Sequence, residues 1–181
     1  MDVHRRIESP NADRRPDDSQ ISLLVIHNIS LPPNEFAGNY VDHLFTNCLN
    51  PSFHPYFEEI SHLRVSAHLY IDREGIITQY VPLNRRAWHA GASSFDNRTC
   101  CNDFSIGIEL QGADHIPYTE IQYSRLGSLT RQLQSFFPLI TLDRIVGHSD
   151  ISPGRKTDPG DSFDWKRYLS LLQSGDAFLT R

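Results

Sequence analysis

The stretch "ISLLVIHN", residues 21–28, has the pattern of a β-strand that is buried on both faces. Its apolar residues are continuous rather than alternating, which is typical of a strand covered by other elements on both sides of a sheet. Two more short apolar runs, "FSIGIEL" at 104–110 and "RIVGH" at 144–148, predict further strands. These runs together indicate a β-sheet with buried strands.

A β-hairpin and a short helix extend this pattern. The β-branched and aromatic runs at 64–72 and 76–82 are separated by "REG", and Gly75 suits the turn between two antiparallel strands. The stretch "YVDHLFTNCL" at 40–49 predicts a short helix. The sequence therefore places at least one antiparallel pair beside the buried strands.

A long amphipathic helix is predicted to begin after Thr119. Thr119 and Gln122, three residues apart, have the spacing of a capping box. The apolar face of this helix consists of Ile121, Leu126, Leu129, Leu133 and either Phe136 or Phe137. A final amphipathic helix is expected over 161–173, capped by Asp161 or Ser162.

The remaining segments are expected to be irregular. They are a polar N-terminal arm at 1–20, a proline-broken stretch at 50–60 and a long loop at 84–103. Strands interleaved with helices, together with a hairpin, predict a mixed α/β fold in which helices flank a central mixed β-sheet. A chain of this length suits one domain, so we expect a single domain over 1–181.

Composition excludes several classes of protein. The formal net charge of −5 disfavours a nucleic-acid-binding role, and no apolar run approaches the roughly 18 residues of a membrane span. The N-terminal residues lack the apolar core of a secretory signal, and the three cysteines fit no disulfide framework. We therefore expect a soluble, cytoplasmic protein that binds neither nucleic acid nor a membrane. We also expect a monomer, although composition does not give the oligomeric state.

Three titratable side chains lie at or near the ends of predicted strands, and a fourth follows in a loop. The three are His27, Glu109 and His148, and the fourth is Asp158. Two imidazoles and a carboxylate are the ligand type of a catalytic zinc site, which keeps one position open. Any one of these histidines alone is more often a structural side chain, so the predicted zinc site depends on the whole set.

Glu109 and Lys156 are further candidates for chemistry. In "SIGIEL", apolar side chains alternate with Ser105, Gly107 and Glu109, so Glu109 faces either solvent or a cleft. A carboxylate in a cleft could act as a general base toward a metal-bound water. Lys156 stands two residues before Asp158 and, in an extended chain, points to the same side. The alternative for Lys156 is a loose surface ion pair.

The segments quoted above, taken together, resemble the N-acetylmuramoyl-L-alanine amidase family, which includes T7-type lysozyme amidases and peptidoglycan-recognition proteins. The matching stretches include "VIHN", "HLRVSAHLYIDREG", "AWHAG", "CNDFSIGIELQG" and "GHSDISPGRKTDPG". They occur in the family order over roughly residues 15–168, which is nearly the whole chain. The resemblance is greatest to cytoplasmic members that act on 1,6-anhydro-muropeptides.

The resemblance implies a role for each matching residue. It implies one Zn²⁺ per chain on His27, His148 and Asp158, with Glu109 as the base and Lys156 on the substrate carbonyl oxygen. It implies that the substrate groove is lined by Asn28, Arg64, Ala87, Trp88 and His89. One position departs from the family pattern, because Cys100 stands where relatives have an arginine. If that arginine holds a peptide carboxylate in relatives, either Arg98 takes its place here or the affinity for substrate differs.

The function implied is hydrolysis of the amide between the lactyl group of 1,6-anhydro-N-acetylmuramic acid and L-Ala, during peptidoglycan recycling. Relatives link this step to β-lactamase induction, and the expected partner is a small-molecule anhydromuropeptide. Two alternatives remain open at this point. One is a peptidoglycan-binding module that has lost catalysis, although all five catalytic and ligand positions are filled here. The other is an amidase of the same family that is directed at the intact cell wall.

Overall fold

The centre of the fold is a six-stranded mixed β-sheet, seen in a computed structural model that describes residues 3–173. The strands are β1 (Arg5–Arg6), β2 (Ala12–Arg14), β3 (Leu23–Ile29), β4 (Leu69–Ile71), β5 (Ile77–Gln79), β6 (Arg85–Ala87), β7 (Ser94–Phe95), β8 (Arg98–Thr99), β9 (Ser105–Gln111) and β10 (Ile145–Gly147). The helices are α1 (Tyr40–Phe45), α2 (Pro55–Ile60), α3 (Glu120–Phe136), α4 (His148–Ile151) and α5 (Trp165–Gln173).

The strand order across the sheet is β1-β5-β4-β9-β3-β10. β4 and β5 form the predicted antiparallel hairpin, and the other neighbouring pairs of this sheet are parallel. Helices α3 and α5 pack on one face, and α1 and α2 contribute to a second cluster of buried side chains. The mixed α/β class predicted from the sequence is therefore confirmed.

The two central strands, β3 and β9, present different chemistry on their two faces. Successive side chains of a strand point to opposite faces. Leu24 and Ile26 of β3 pack with Ile108 of β9 in the core under α3 and α5. The alternate positions place His27 and Glu109 on the other face, and the strand register pairs these two residues directly. The apolar face thus holds the sheet to its helices, and the opposite face carries titratable groups.

Strand β10 brings the second predicted histidine to the same edge of the sheet. Gly147, the last residue of β10, pairs with Ile26 of β3, and His148 begins α4 immediately afterwards. Because β3 and β10 are parallel, their carboxyl ends lie together. Residues 27 and 148, which are far apart in sequence, therefore become neighbours.

Helix α3 begins with the predicted capping box. The Thr119 hydroxyl accepts from the Gln122 N–H, and the Gln122 side chain accepts from the Thr119 N–H. The middle of the predicted apolar face is fully or almost fully buried, as seen for Leu126, Leu129 and Leu133. Phe136, at the last turn, is 63% exposed, whereas Phe137 packs partly against the core. Of the two phenylalanines, Phe137 is thus the one that extends the face.

Helix α5 begins later than the sequence predicts. The expected cap was Asp161 or Ser162, but the helix starts at Trp165, and the Arg167 N–H donates to Asp164 Oδ1 at 2.9 Å. Three polar or acidic residues, Asp161, Ser162 and Asp164, precede the helix, and each suits an N-cap by residue type alone. The backbone conformation of the turn before the helix determines which of these residues becomes the N-cap.

Three segments that the sequence predicts to be irregular contain regular structure. In the N-terminal arm, β1 pairs with β5 and β2 pairs with β6. These strands have mostly exposed side chains, so no apolar pattern marks them. In the proline-broken stretch, Pro55 starts α2 rather than ending it, because proline is favoured in the first turn and His54 caps the helix through its side chain.

The long loop at 84–103 contains three short strands. β6 pairs with β2, and β7 pairs with β8 in a two-residue hairpin. Asp96 and Asn97 form its turn with φ of 52° and 60°. Asn and Asp tolerate positive φ, which two-residue hairpin turns require. Within residues 3–173, no helix combines the length and the apolar character needed to cross a membrane.

Replacing Leu126 by alanine is expected to lower the free energy of unfolding by about 2–5 kcal/mol, because the change leaves a cavity in the core. Phe136→Ala, on the exposed end of the same helix, is expected to cost less than about 1 kcal/mol. Urea unfolding followed by circular dichroism measures both. Equal losses for the two variants would contradict this packing of α3.

Candidate metal centre

Three side chains converge at the carboxyl ends of β3 and β10. His27 Nδ1 lies 3.0 Å from His148 Nδ1, and both nitrogens lie 3.0 Å from Asp158 Oδ2. Both imidazoles are buried, and Asp158 is half-buried at the edge of a cavity. The structure therefore brings together the three residues that the sequence predicts as ligands, and they form a group that could hold a metal ion.

The second nitrogen of His148 is held by the long loop. His148 Nε2 lies 3.1 Å from the Ala90 carbonyl oxygen. A carbonyl only accepts, so Nε2 carries the proton and Nδ1 presents its lone pair to Asp158 and His27. Arg155 donates to the same Ala90 oxygen at 2.7 Å and to the Ala92 oxygen at 2.8 Å. The hydrogen bonds of Arg155 thus connect the long loop that supports His148 to the segment that carries Asp158.

The second nitrogen of His27 contacts another histidine. His27 Nε2 lies 2.9 Å from His89 Nδ1, and His89 Nε2 lies 3.1 Å from the Ser105 hydroxyl. Burial lowers the pKa of His27 to about 4, with Asp158 acting in the opposite direction. Burial also lowers the pKa of His89 well below its ordinary value, and the neighbouring His27 adds to this effect. Both imidazoles are therefore neutral near pH 7, and neutral imidazole is the form that binds metals.

The three ligand atoms fit a zinc ion. In a tetrahedral site with bonds of about 2.0–2.1 Å, ligand atoms are separated by about 3.3 Å, close to the spacing found here. The set is thus two imidazoles and a carboxylate around one point, which is the donor chemistry that zinc prefers.

Glu109 lies beside this trio as a buried carboxyl group. It lines the same cavity as His148 and Asp158, and no group among residues 3–173 hydrogen-bonds its Oε2 atom. Burial raises the pKa of Glu109 well above its ordinary value, Asp158 raises it further, and Lys156 opposes the shift. A carboxyl group with a raised pKa can take up and release a proton near neutral pH.

The cavity that borders the trio has a volume of about 600 Å³, within the range of small-molecule sites. Lys156 lines it together with Glu109 and Asp158, as the sequence predicts. Its polar side includes Asn28, Asn34, Asp114, His115 and Thr157, and its apolar side includes Leu31, Tyr56, Ile60, Leu63 and Val65. The cavity can therefore receive a ligand that has both polar and apolar parts.

The predicted groove residues differ in their position relative to the cavity. Asn28 lines the cavity, and its side-chain amide donates to Asp114 Oδ1 at 2.8 Å. Arg64 is exposed next to the cavity wall and donates to the carbonyl oxygens of residues 62 and 63. Ala87 is fully buried in the core formed with α1 and α2, so its side chain is not available to a ligand. Trp88 is half-buried and its backbone N–H donates to Ser66.

Arg98 does not lie at the cavity. It stacks over the Phe104 ring at 4.0 Å and reaches the Ser19 hydroxyl at 3.3 Å. Phe104 precedes β9, whereas the site lies near the other end of that strand. The expectation that Arg98 replaces the family arginine is therefore not supported by its position, because β8 lies near the amino end of β9.

Some residues of the site carry no signal of their own in the sequence. Ser105 shares a strand face with Glu109, and this alternation is the one sequence pattern that places it on the face of the sheet that carries His27. Asn102 accepts from the backbone N–H groups of His89 and Ala90 at 3.1 and 2.8 Å and so shapes the loop under both imidazoles. An asparagine in a loop has no pattern that predicts such a contact.

Comparison with known proteins defines the class. A family model described as N-acetylmuramoyl-L-alanine amidase matches residues 17–161, and the chain belongs to this family. It is accordingly an amidase. Among individual relatives, it is 59% identical over 169 residues to the 1,6-anhydro-N-acetylmuramyl-L-alanine amidase AmpD of Haemophilus influenzae, a match that covers 93% of this chain and 92% of the relative.

Solved structures agree with this assignment. A crystal structure of a selenomethionine AmpD derivative matches with a TM-score of 0.92 and 55% identity, covering 95% of this chain and 96% of that one. The amidase AmiD from Escherichia coli, in complex with anhydro-N-acetylmuramic acid-L-Ala-D-gamma-Glu-L-Lys, matches with a TM-score of 0.61 and 27% identity. That match covers 87% of this chain and 60% of AmiD. The fold and family expected from the resemblance are confirmed.

Glu109→Gln is expected to stabilise the metal-free protein, by an amount that grows with pH. Because the pKa of Glu109 is raised by folding, the folded state keeps a proton that the unfolded state has lost between the two pKa values. The contribution of Glu109 to stability therefore falls as pH rises through this window, and glutamine removes that dependence.

Unfolding midpoints in chelator, from about pH 4 to about pH 9, measure this difference. Glu58→Gln, which alters an exposed carboxylate on α2, serves as the control. Parallel pH profiles for wild type and Glu109→Gln would contradict the assigned environment of Glu109.

Proposed function

We propose that this protein is a zinc-dependent amidase that acts on 1,6-anhydro-muropeptides in the cytoplasm. It would hydrolyse the amide between the lactyl group of 1,6-anhydro-N-acetylmuramic acid and L-Ala, as a step of peptidoglycan recycling. The observation that carries the proposal is the convergence of His27, His148 and Asp158 beside Glu109 and Lys156 at one cavity. The substrate named for the AmpD and AmiD relatives supports the choice of bond.

Each residue at the cavity has a distinct part in this proposal. His27, His148 and Asp158 hold Zn²⁺, which supplies Lewis-acid activation of water and of the substrate carbonyl. Glu109 takes the proton from the attacking water and returns it to the departing amine of L-Ala. Lys156 donates a hydrogen bond to the carbonyl oxygen as that oxygen gains negative charge.

The rest of the cavity suits a muropeptide. Its apolar side, which α2 and the following segment provide, offers contact area for the sugar ring and alkyl groups. Its polar side includes Asn28, whose amide is oriented by Asp114. Arg64 is exposed beside this wall and would approach a peptide carboxylate by side-chain rotation. We propose these residues as substrate contacts, and we propose that the enzyme acts as a monomer.

A binding module without catalysis fits the site less well. A protein that only binds needs no buried carboxyl group next to three ligand-type side chains. Among residues 3–173 no group hydrogen-bonds Glu109 Oε2, which lowers stability, and a role as general base accounts for a buried carboxyl group kept in this state. The geometry therefore favours an enzyme.

The decisive experiment is a product assay with the zinc-loaded protein. It is incubated with an anhydromuropeptide, with the same muropeptide bearing a reducing sugar, and with intact sacculi, and the products are identified by mass. We expect free peptide and anhydro-sugar from the first substrate and no release from sacculi. Release from sacculi would support the wall-directed alternative, and cleavage of none of the three would refute the proposal.

Glu109→Gln is expected to lower kcat by about 10²- to 10⁴-fold, because the variant cannot accept the proton of the water. Zinc content should stay near one ion per chain, since Glu109 is not a ligand. His148→Ala, by contrast, should lose both zinc and activity. Elemental analysis alongside the product assay separates the two roles, and full activity of Glu109→Gln would exclude Glu109 as the base.

Lys156→Met is expected to lower kcat by about 10²- to 10³-fold, with a smaller effect on KM, because the lost hydrogen bond strengthens as charge develops on the oxygen. Lys166→Met removes the other lysine of the chain, on the exposed side of α5, and should keep wild-type kinetics. A loss confined to KM in Lys156→Met would assign Lys156 to substrate binding alone.

A further inference from the structure

We propose that His89 is a positioning residue that fixes the orientation and tautomer of His27, so that His27 Nδ1 is free to bind the metal. The inference rests on the proposed zinc site and concerns how that site is prepared. His89 is not one of the three metal-ligand residues, although it lines the cavity. It acts through His27.

The contacts form a continuous series from the metal position into the core. His27 Nε2 lies 2.9 Å from His89 Nδ1, and His89 Nε2 lies 3.1 Å from the Ser105 hydroxyl. The Ser105 hydroxyl lies 2.6 Å from the carbonyl oxygen of Cys101. His27, His89 and Ser105 are all buried, so water does not compete for these bonds.

The last contact determines the direction of every bond in the series. The Cys101 carbonyl can only accept, so the Ser105 hydroxyl donates to it. Ser105 Oγ then accepts from His89 Nε2–H, which leaves His89 Nδ1 without a proton. His89 Nδ1 can therefore only accept, and His27 Nε2 must donate to it. A neutral His27 with its proton on Nε2 has a lone pair on Nδ1, the atom that faces His148 and Asp158.

His148 reaches the same state by a shorter route. Its Nε2 lies 3.1 Å from the Ala90 carbonyl oxygen, so its Nδ1 also presents a lone pair. Both histidines thus have Nδ1 available for the metal. Nε2 of His148 is hydrogen-bonded directly to a backbone carbonyl, and Nε2 of His27 is connected to one through His89 and Ser105.

Gly107 leaves the space that this arrangement needs. A Cβ atom at position 107 would lie 2.5 Å from Cγ and from Nδ1 of His89. The imidazole therefore packs directly against the backbone of β9, between the strand positions of Ser105 and Glu109. This packing buries His89 at a position where it lines the cavity.

The direct test is the position of the proton between the two rings. In protein with ¹⁵N-labelled imidazoles, scalar coupling across the hydrogen bond joins His27 Nε2 to His89 Nδ1, and the one-bond coupling identifies the donor. We expect the proton on His27 Nε2, both with zinc and in the metal-free protein. A proton on His89 Nδ1, or no coupling between the rings, would overturn the proposal.

Zinc affinity tests the consequence of the arrangement. Loss of an outer partner of a ligating histidine typically weakens metal binding by about 10- to 100-fold, and we expect this for His89→Leu. His89→Gln keeps one acceptor and one donor at a similar spacing and should recover most of the affinity. Ser105→Ala removes the group that orients His89 and should fall between the two. Competition with a chromophoric chelator measures all three variants.

His62→Ala serves as the control, because it removes an exposed histidine outside the series. Wild-type zinc affinity in His89→Leu would contradict the proposal, as would equal losses in His89→Gln and His89→Leu. The coupling measured in the metal-free protein requires neither zinc nor substrate. A failure of the proposed amidase function would therefore appear in the product assay or in zinc content, and a failure of the positioning role would appear in the coupling.

Discussion

The parallel pairing of β3 with β9 is the constraint on which the site depends. Its register sets His27 opposite Glu109 and puts both on the face away from α3 and α5. A slip of β3 by one residue would turn His27 into the apolar core and leave an apolar side chain opposite Glu109. Such a slip is disfavoured because it would bury the polar imidazole among apolar side chains. The same strand register is therefore needed both to pack the core and to place His27 beside Glu109.

Much of this arrangement could be predicted from the sequence, because it depends on the spacing of apolar and polar residues along the chain. Continuous apolar runs marked β3 and β10, alternation marked β9, and residue spacing marked the start of α3. The set of His27, His148 and Asp158 followed from residue type, from the ends of two predicted strands and from the family resemblance. The roles of the groove residues came from the resemblance alone, and the positions of Ala87 and Arg98 do not support two of them.

The features that the sequence did not reveal depend on individual hydrogen bonds. Strands β1 and β2 form through backbone pairing at the margins of the sheets, where side-chain hydrophobicity is not selected. The bonds of Ser105 and Asn102 join a strand and a loop whose relative position exists only after folding. Proline at the start of α2 has two readings, helix breaker and helix initiator, and only the cap provided by His54 decides between them.

The hairpin of β7 and β8 takes no part in the hydrogen bonds of Ser105 and Asn102. The long loop is anchored at one end by His89 and Ala90 and at the other by Asn102, and these contacts join directly beneath the imidazoles. The hairpin between them closes its own turn at Asp96 and Asn97 and is mostly exposed. Insertions or deletions at this tip would reshape the outline of the molecule and leave the two anchors in place. A change in the length of this tip would therefore leave the contacts beneath His27 and His148 unchanged.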